Sequence, residues 1–316
     1  VLNRLPVEPE RGAAGILDEI QRHGAALIQK HDVERIGIGF GGPVDAAAGR
    51  IIKSHQIAGW EDVSIVRWCE ETLGKPTVVG NDCDVAALAE ARFGAGKSCR
   101  SVFYVTVGTG VGGGLVVDGE LFGAGRPAVA EIGHLRPGLQ CERADQTVES
   151  LASGWGIAAA ARERFTAEVI HSLHRLRDAA DEQERRERMQ FAKMEDEEYL
   201  ADLWQRCDFD LERLTAKHVG QAAESGNAIA KEILEHAVEA LGWAIAQVIN
   251  ITAAEVVIVG GGVSLLGEAM FFKPLEKYVE QFVFPPLAGH FKILPAALGE
   301  LVVVHGALAL AADAKR

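Results

Sequence analysis

Asp82 follows Asn81 in the run 78–84 (VVGNDCD), between a short apolar stretch and the start of a helical pattern. A carboxylate between a strand end and a helix start sits where open α/β sheets place their ligands. A helix N-terminus favours the ionised acid. Asp82 is therefore read as charged at neutral pH and as a competent acceptor of a hydroxyl proton. The alternative is a helix cap, since Asn and Asp are favoured there, with Asp84 the better cap candidate. Glu131, His134 and Glu149 form a second group, the first two set among small and apolar residues. A pocket for a polyhydroxylated ligand needs several such donors and acceptors, because each hydroxyl must be satisfied when water leaves. The alternative is a pair of surface polar residues flanking a turn.

Two glycine clusters, Gly108-Thr109-Gly110 and Gly260-Gly261-Gly262, each follow an apolar strand pattern and would lie at the carboxyl edge of a sheet. Neither has the GxGxxG or P-loop form, which disfavours a Rossmann dinucleotide site. Two separate turns, one for phosphates and one beside an adenosine, suit an ATP cleft between domains; tight packing is the competing explanation for each. A zinc site built from His134, Cys141 and a carboxylate has too few N/S ligands to close, so no metal site is assigned.

These residues need elements to hold them. The stretch 102–134 organises the chain: a β-branched and aromatic strand at 102–107, six glycines between 108 and 119, an apolar run at 115–117, and an Asp118-Gly119 hairpin turn. Glycines between strands let a backbone approach something closely, a phosphate chain being the usual candidate. Before it come an amphipathic helix at 13–30, a strand at 35–40, a short strand at 49–54, a helix at 63–73, a strand at 77–79, and a helix beginning near Asp84 and closed by Gly94-Ala95-Gly96. After it come a helix at about 147–165, two helices across 214–250, a strand at 255–259 and a buried closing helix at 301–312. The charge-rich segment 166–213 reads as a solvated helical pair, a partner-binding arm being the sharper alternative. Strands alternating with helices mean an α/β fold.

With 316 residues, two domains are expected. The 48% apolar and 24% charged content is that of an ordinary globular protein. A formal charge of −13 argues against a nucleic-acid or anionic-membrane surface. No apolar run reaches the length of a membrane span and no signal-peptide pattern is present. Five scattered cysteines without CxxC spacing fit a reducing cytoplasm.

Taken together, IGIGFGGPVD (36–45), GW (59–60), VVGNDCDVAALAEARFGAG (78–96), VTVGTGVGGGLVVDGELFGAG (105–125), EIGH (131–134), ESLASG (149–154), VVIVGGG (256–262) and HGALAL (305–310) resemble the ROK family of bacterial sugar kinases and sugar-responsive repressors. The resemblance implies two actin-like, ribonuclease-H-type α/β domains flanking a cleft. The first is expected at 1–97 plus about 300–316, the second at 98–299 with the charged insert at 166–213. It implies a glucokinase-like, ATP- and Mg²⁺-dependent phosphorylation of a hexose or amino-hexose. Asp82 would be the base, with Asn81, Glu131, His134 and Glu149 on the sugar. Gly108, Thr109 and Gly110 would hold phosphate, and Gly260, Gly261 and Gly262 the adenosine. A homodimer is implied as well.

Three departures bear on this. Family kinases open with a strand and an Asp-x-Gly-Gly-Thr phosphate loop, whereas this sequence starts beyond that point; a missing start is the expected explanation, because opening strands are hard to delete from a sheet. The Cys-rich zinc loop of the family is reduced to Cys141, so structural zinc is not expected. Ser54-His55-Gln56 stands where the family often has Asn near the sugar. The alternative reading is a non-catalytic sugar-binding or sugar-sensing member; no helix-turn-helix pattern precedes the domain, and DNA contact is not expected.

Overall fold

A computed structural model describes residues 2–54, 56–123, 126, 128–138, 145–166, 169–170, 173 and 195–314. The chain is α/β and rich in helix. Its larger sheet has five strands in the order β7-β6-β5-β8-β9: Glu120–Leu121, Val111–Val117, Ser101–Val107, Val256–Gly260 and Lys292–Pro295. The sheet is mixed. β5 pairs antiparallel with β6 and parallel with β8, while β8 pairs parallel with β9. β8 is buried along its whole length, as expected of a strand covered on both faces. The main cover is the 25-residue helix Ala228–Thr252, whose buried residues share one core with Val105, Val107, Val257 and Val259.

Two smaller pairings lie earlier in the chain. β1 (Ile36–Phe40) pairs parallel with β4 (Thr77–Asn81), and β2 (Val44–Asp45) pairs antiparallel with β3 (Arg50–Ile51). The alternation in Ile36-Gly37-Ile38-Gly39 has a packing cause. Residues two apart on a strand share a face, and on the Gly37/Gly39 face the closing helix Val302–Asp313 lies so close that a Cβ at Gly37 would strike the carbonyl oxygen of Ala307. The same helix packs on Asp82–Phe93, where a Cβ at Gly306 would strike the carbonyl oxygen of Val85.

Several expectations shift in detail. The helix expected at about 147–165 is two helices, Val148–Ala152 and Gly154–Glu163, broken where Ser153 caps the second by accepting the Gly156 N–H at 3.1 Å. The short strand expected at 49–54 shrinks to Arg50–Ile51. Within the charge-rich segment, Glu195–Arg206 is not simply solvated: Leu200, Leu203 and Trp204 are buried in the main core. Residues 174–194 of that segment, and also His55 and Cys141, lie outside the described residues. Gly112, Gly113 and Gly114 belong to β6 rather than to a loop. Gly112 and Gly114 give their side-chain space to the helix Asp82–Phe93, through the Cys83 thiol and the Cys83 carbonyl. The approach those two glycines permit is thus helix on strand, not phosphate on backbone. No helix among the described residues is long and apolar enough to cross a membrane.

Candidate active site

Sheet register brings the candidate residues to two edges. Phe40 lies opposite Asn81 in the parallel β1–β4 pair, so Gly41, Gly42 and Asp82 emerge side by side. Asn81 is the cap of the helix Asp82–Phe93: its Oδ1 accepts the N–H groups of Cys83 at 2.8 Å and Asp84 at 3.4 Å, and its Nδ2 donates to the Gly42 carbonyl at 2.9 Å. Asn81, and not Asp84, therefore satisfies the orphan donors of the first turn. This leaves Asp82 available. Its Oδ1 accepts the Cys83 N–H at 2.9 Å, while Oδ2 faces Gly41, 3.5 Å from the position a Cβ would occupy there. Burial pushes the Asp82 carboxyl above the usual aspartate range, with the Cys83 N–H pulling the other way. Desolvation thus outweighs the pull of the helix end toward the ionised form, and a raised pKa makes Asp82 the stronger base.

Asp84 is the acid that sequence reasoning set aside as a cap. It lines a cavity of about 80 Å³ together with Asn81, Glu131 and Arg126. Its carboxyl is pushed up to about 7, by burial first and then by the charges of Glu131 and Asp82. The available sign was the second acid of Asp82-Cys83-Asp84, which the cap preference absorbed. Cys83, between the two, is buried, and its thiol is driven well above the ordinary cysteine value by burial and by Asp82. Its side chain packs against β6, with Sγ in the space a Cβ on Gly112 would take.

Glu131 precedes the short turn Ile132–His134. Burial raises its carboxyl, His134 opposes the rise, and Glu149 and Asp82 add to it. Three of the residues singled out in the sequence, Asp82, His134 and Glu149, therefore lie within electrostatic reach of a fourth, Glu131. Glu149 sits on Val148–Ala152, a helix opened by a Thr147/Ser150 capping box. Its Oε2 accepts the Val111 N–H at 2.9 Å and fills the space where a Cβ on Gly110 would stand.

The glycine turns meet at the other edge. Thr106 is in register with Gly260 in the parallel β5–β8 pair, so the chain leaves both strands side by side. Gly108, Thr109 and Gly262 line one cavity of about 960 Å³, with Trp155, Thr215, Lys217 and Leu265. Gly260 and Gly261 serve the packing beneath: Gly261 has φ +91°, and Val107 backbone occupies its side-chain space, while Tyr104 Oη occupies that of Gly260. The Gly108 turn is pinned by the Gly154 N–H donating to the Gly108 carbonyl at 2.8 Å. Trp155, Thr215 and Lys217 carried no sign in the sequence beyond their helical context. Among the described residues no group of three or more His, Cys, Asp or Glu side chains is arranged to hold a metal ion.

The profile of the ROK family matches residues 4–314. A glucokinase of Halalkalibacterium halodurans is 31% identical over 276 residues, covering 85% of this chain and 73% of that protein. The crystal structure of a ROK family glucokinase from Streptomyces griseus, in complex with glucose and AMPPNP, superposes with a TM-score of 0.75 at 29% identity over 99% of this chain and 92% of that one. A xylose repressor of Caldicellulosiruptor bescii is 24% identical over 87% of this chain and 61% of its own length. With a family profile that spans nearly the whole chain and a fold shared over 99% of it, this protein belongs to the ROK family.

Proposed function

We propose that this protein is an ATP-dependent kinase acting on a hydroxyl of a hexose or amino-hexose, with Asp82 as general base. One observation carries the reading: Glu149 faces both halves of the site. Its carboxylate holds the backbone of the glycine turn that opens into the large cavity, and its charge is felt by Glu131 beside Asp82 and Asp84. A sugar among Asn81, Asp82, Glu131, His134 and Glu149 would thus abut a nucleotide over Gly108–Gly110.

The residues of the large cavity fit a nucleoside triphosphate, since a glycine turn with the Thr109 and Thr215 hydroxyls and the Lys217 cation offers donors and charge for phosphate oxygens. Bound ATP, with its Mg²⁺, supplies the phosphoryl group and the charge neutralisation that such transfers require. The protein's own part is positioning. Asp82 Oδ2 takes the hydroxyl proton while the Cys83 N–H holds Oδ1, and Glu131, His134 and Glu149 orient the sugar's other hydroxyls. The Asp82 half would comprise 1–97 plus about 300–316, and the nucleotide half 98–299. The protein would work in the reducing cytoplasm, as its described free cysteines suit, and as a homodimer like its family.

A panel of hexoses assayed with ATP and Mg²⁺ tests the proposal. Asp82→Asn should lower kcat by roughly 10²- to 10⁴-fold, the usual contribution of a positioned base, while the sugar dissociation constant changes by no more than a few-fold. Undiminished turnover in that variant rules out the base. The likeness to the xylose repressor favours a second reading, a sugar sensor without catalysis. Saturable sugar binding with no phosphoryl transfer from any donor selects it.

A further inference from the structure

Three consecutive glycines, 112 to 114, stand in strand β6, and neighbouring residues on a strand point to opposite faces. On one face, a Cβ at Gly112 would strike Cys83 Sγ, and one at Gly114 would lie 2.7 Å from the Cys83 carbonyl oxygen. Cys83 directly follows Asp82, so this face seats the helix of the proposed base. On the other face, a Cβ at Gly113 would lie 2.6 Å from the carbonyl oxygen of Ala130, the residue before Glu131. The contact is returned from the far side: a Cβ at Gly133, within the turn Ile132–His134, would strike the carbonyl oxygen of Val111. None of these four glycines has a positive φ, so each position needs space and not an unusual backbone. The turn is tightly wound. Ala130 has φ +58° and its carbonyl accepts the Ile132 N–H at 2.7 Å; Glu131 lies between them at φ −72° and ψ 64°, the geometry of an inverse γ-turn. The oxygen that rests on Gly113 is thus the one that closes the turn carrying Glu131.

We propose that these glycines are positioning residues and that β6 is a two-sided spacer: Gly112 and Gly114 set the place of the base Asp82, while Gly113 with Gly133 aims Glu131 and His134 at the sugar. This rests on the kinase reading above and deepens it, by assigning the glycine run to the spacing of the reacting groups. Contact with a backbone carbonyl fixes a position firmly, because no rotamer change can absorb an added methyl. The two faces also belong to different cores. Val111, Leu115 and Ile132 lie in the largest one, whereas Val116 packs with Ala86 and Ala87. A disturbance on one face therefore need not reach the other. The strand's first residue ties in a further group, since the Val111 N–H donates to Glu149 Oε2 at 2.9 Å. One strand holds the base, the sugar-orienting turn and Glu149 in a single frame, and a misplacement of about 1 Å costs roughly 10²-fold in rate.

Substitutions at adjacent strand positions of the whole chain test it, assayed with ATP, Mg²⁺ and glucose or the hexose that the panel selects. Gly112→Ala should lower kcat by about 10²-fold and leave KM for sugar within about threefold. Gly113→Ala should do the opposite: KM for sugar rises about tenfold, on the scale of one weakened hydrogen bond to a charged group, and kcat stays within about threefold. Cys83→Ala removes the sulfur that a methyl at position 112 meets, leaving the Cβ of residue 83 at 3.6 Å. Gly112→Ala combined with Cys83→Ala should therefore recover most of the lost kcat, and Cys83→Ala should not help Gly113→Ala. Equal changes in kcat and KM in both glycine variants, or no rescue by Cys83→Ala, overturn the proposal. A parent that phosphorylates no hexose sinks the kinase reading, and hydrogen exchange then decides the spacer without any ligand. Gly113→Ala should speed exchange severalfold at the Ile132 amide, held by Ala130, and not at the Cys83 amide, held by Asn81; Gly112→Ala should do the reverse. Protection lost at both amides together, or at neither, overturns the proposal.

Discussion

At the scale of single residues, the site gathers more negative charge than an empty pocket favours. Asp82, Asp84 and Glu131 all have raised carboxyl pKa values, each chiefly through burial, and Asp84 and Glu131 are raised further by neighbouring carboxylates. The cost is largest and best defined at Asp84, where the carboxyl titrates at about 7. Because the folded state binds this proton more tightly than the unfolded chain, stability contributed here is present at low pH. It falls as pH rises from about 4 to about 7, and changes no further above that. The displacement from the ordinary aspartate value corresponds to at most roughly 4 kcal/mol. Asp84→Asn should therefore raise unfolding stability at pH 8 by about 2–4 kcal/mol and have little effect near pH 4, read from urea midpoints of the ligand-free protein. An equal effect at both pH values removes charge as the cause. A ligand hydroxyl or ammonium group that donates to these carboxylates relieves the same cost, which is how a destabilised site is put to use.

At the scale of elements, the helix Asp82–Phe93 carries the proposed base, and both of its ends are held. Asn81 caps the front. At the back, Glu90, fully buried, gathers three backbone donors: Ala95 N–H on Oε2 at 2.9 Å, and Ala297 and Leu298 N–H on Oε1 at 2.9 Å each. One carboxyl thus ties the helix to the loop that carries the chain into its closing helix. Glu90→Ala strands those donors, each worth about 1–3 kcal/mol when buried without a partner. We expect a loss of about 3–5 kcal/mol in denaturant unfolding and faster hydrogen exchange at Ala95, Ala297 and Leu298; a loss below 1 kcal/mol would show water replacing the carboxyl. The helix itself was legible from Val85, Leu88 and Ala89. Its seat on β6 was not, because Gly112 and Gly114 look alike whether a phosphate or a helix comes close.

At the scale of the whole molecule, residues far apart in sequence complete one wall. The closing helix Val302–Asp313 lies across β1 and the Asp82 helix, with Gly306 on the Val85 carbonyl and Gly37 under the Ala307 carbonyl. Neither backbone can retreat without moving Asp82, three residues before Val85. Gly306→Ala should cost about 3 kcal/mol by overpacking and lower kcat more than it changes sugar affinity, measured by thermal unfolding and steady-state assay. Normal stability with normal kcat would show that the helix pair can part without disturbing the base. The second edge follows the same logic, since Val107 and Gly260 emerge together only because β5 and β8 pair in parallel.

Alternating apolar and glycine residues, caps, breakers and strand-like runs are local, so the order of elements, the α/β class, the Asp82 and Glu131–His134 groups and the two glycine turns could all be read in one dimension. Pairing register and helix seating depend on residues from about 30 to about 270 positions apart, and these only the tertiary structure decided. They chose Asn81 over Asp84 as the cap and turned Gly112 and Gly114 into a helix seat. They broke one expected helix at Ser153 and placed Trp155, Lys217 and Leu265 around a single cavity. The physical reason is that propensity acts through neighbours along the chain, whereas burial, and with it the raised carboxyl of Asp84 and the exposed indole of Trp155, is set by what the rest of the chain brings across.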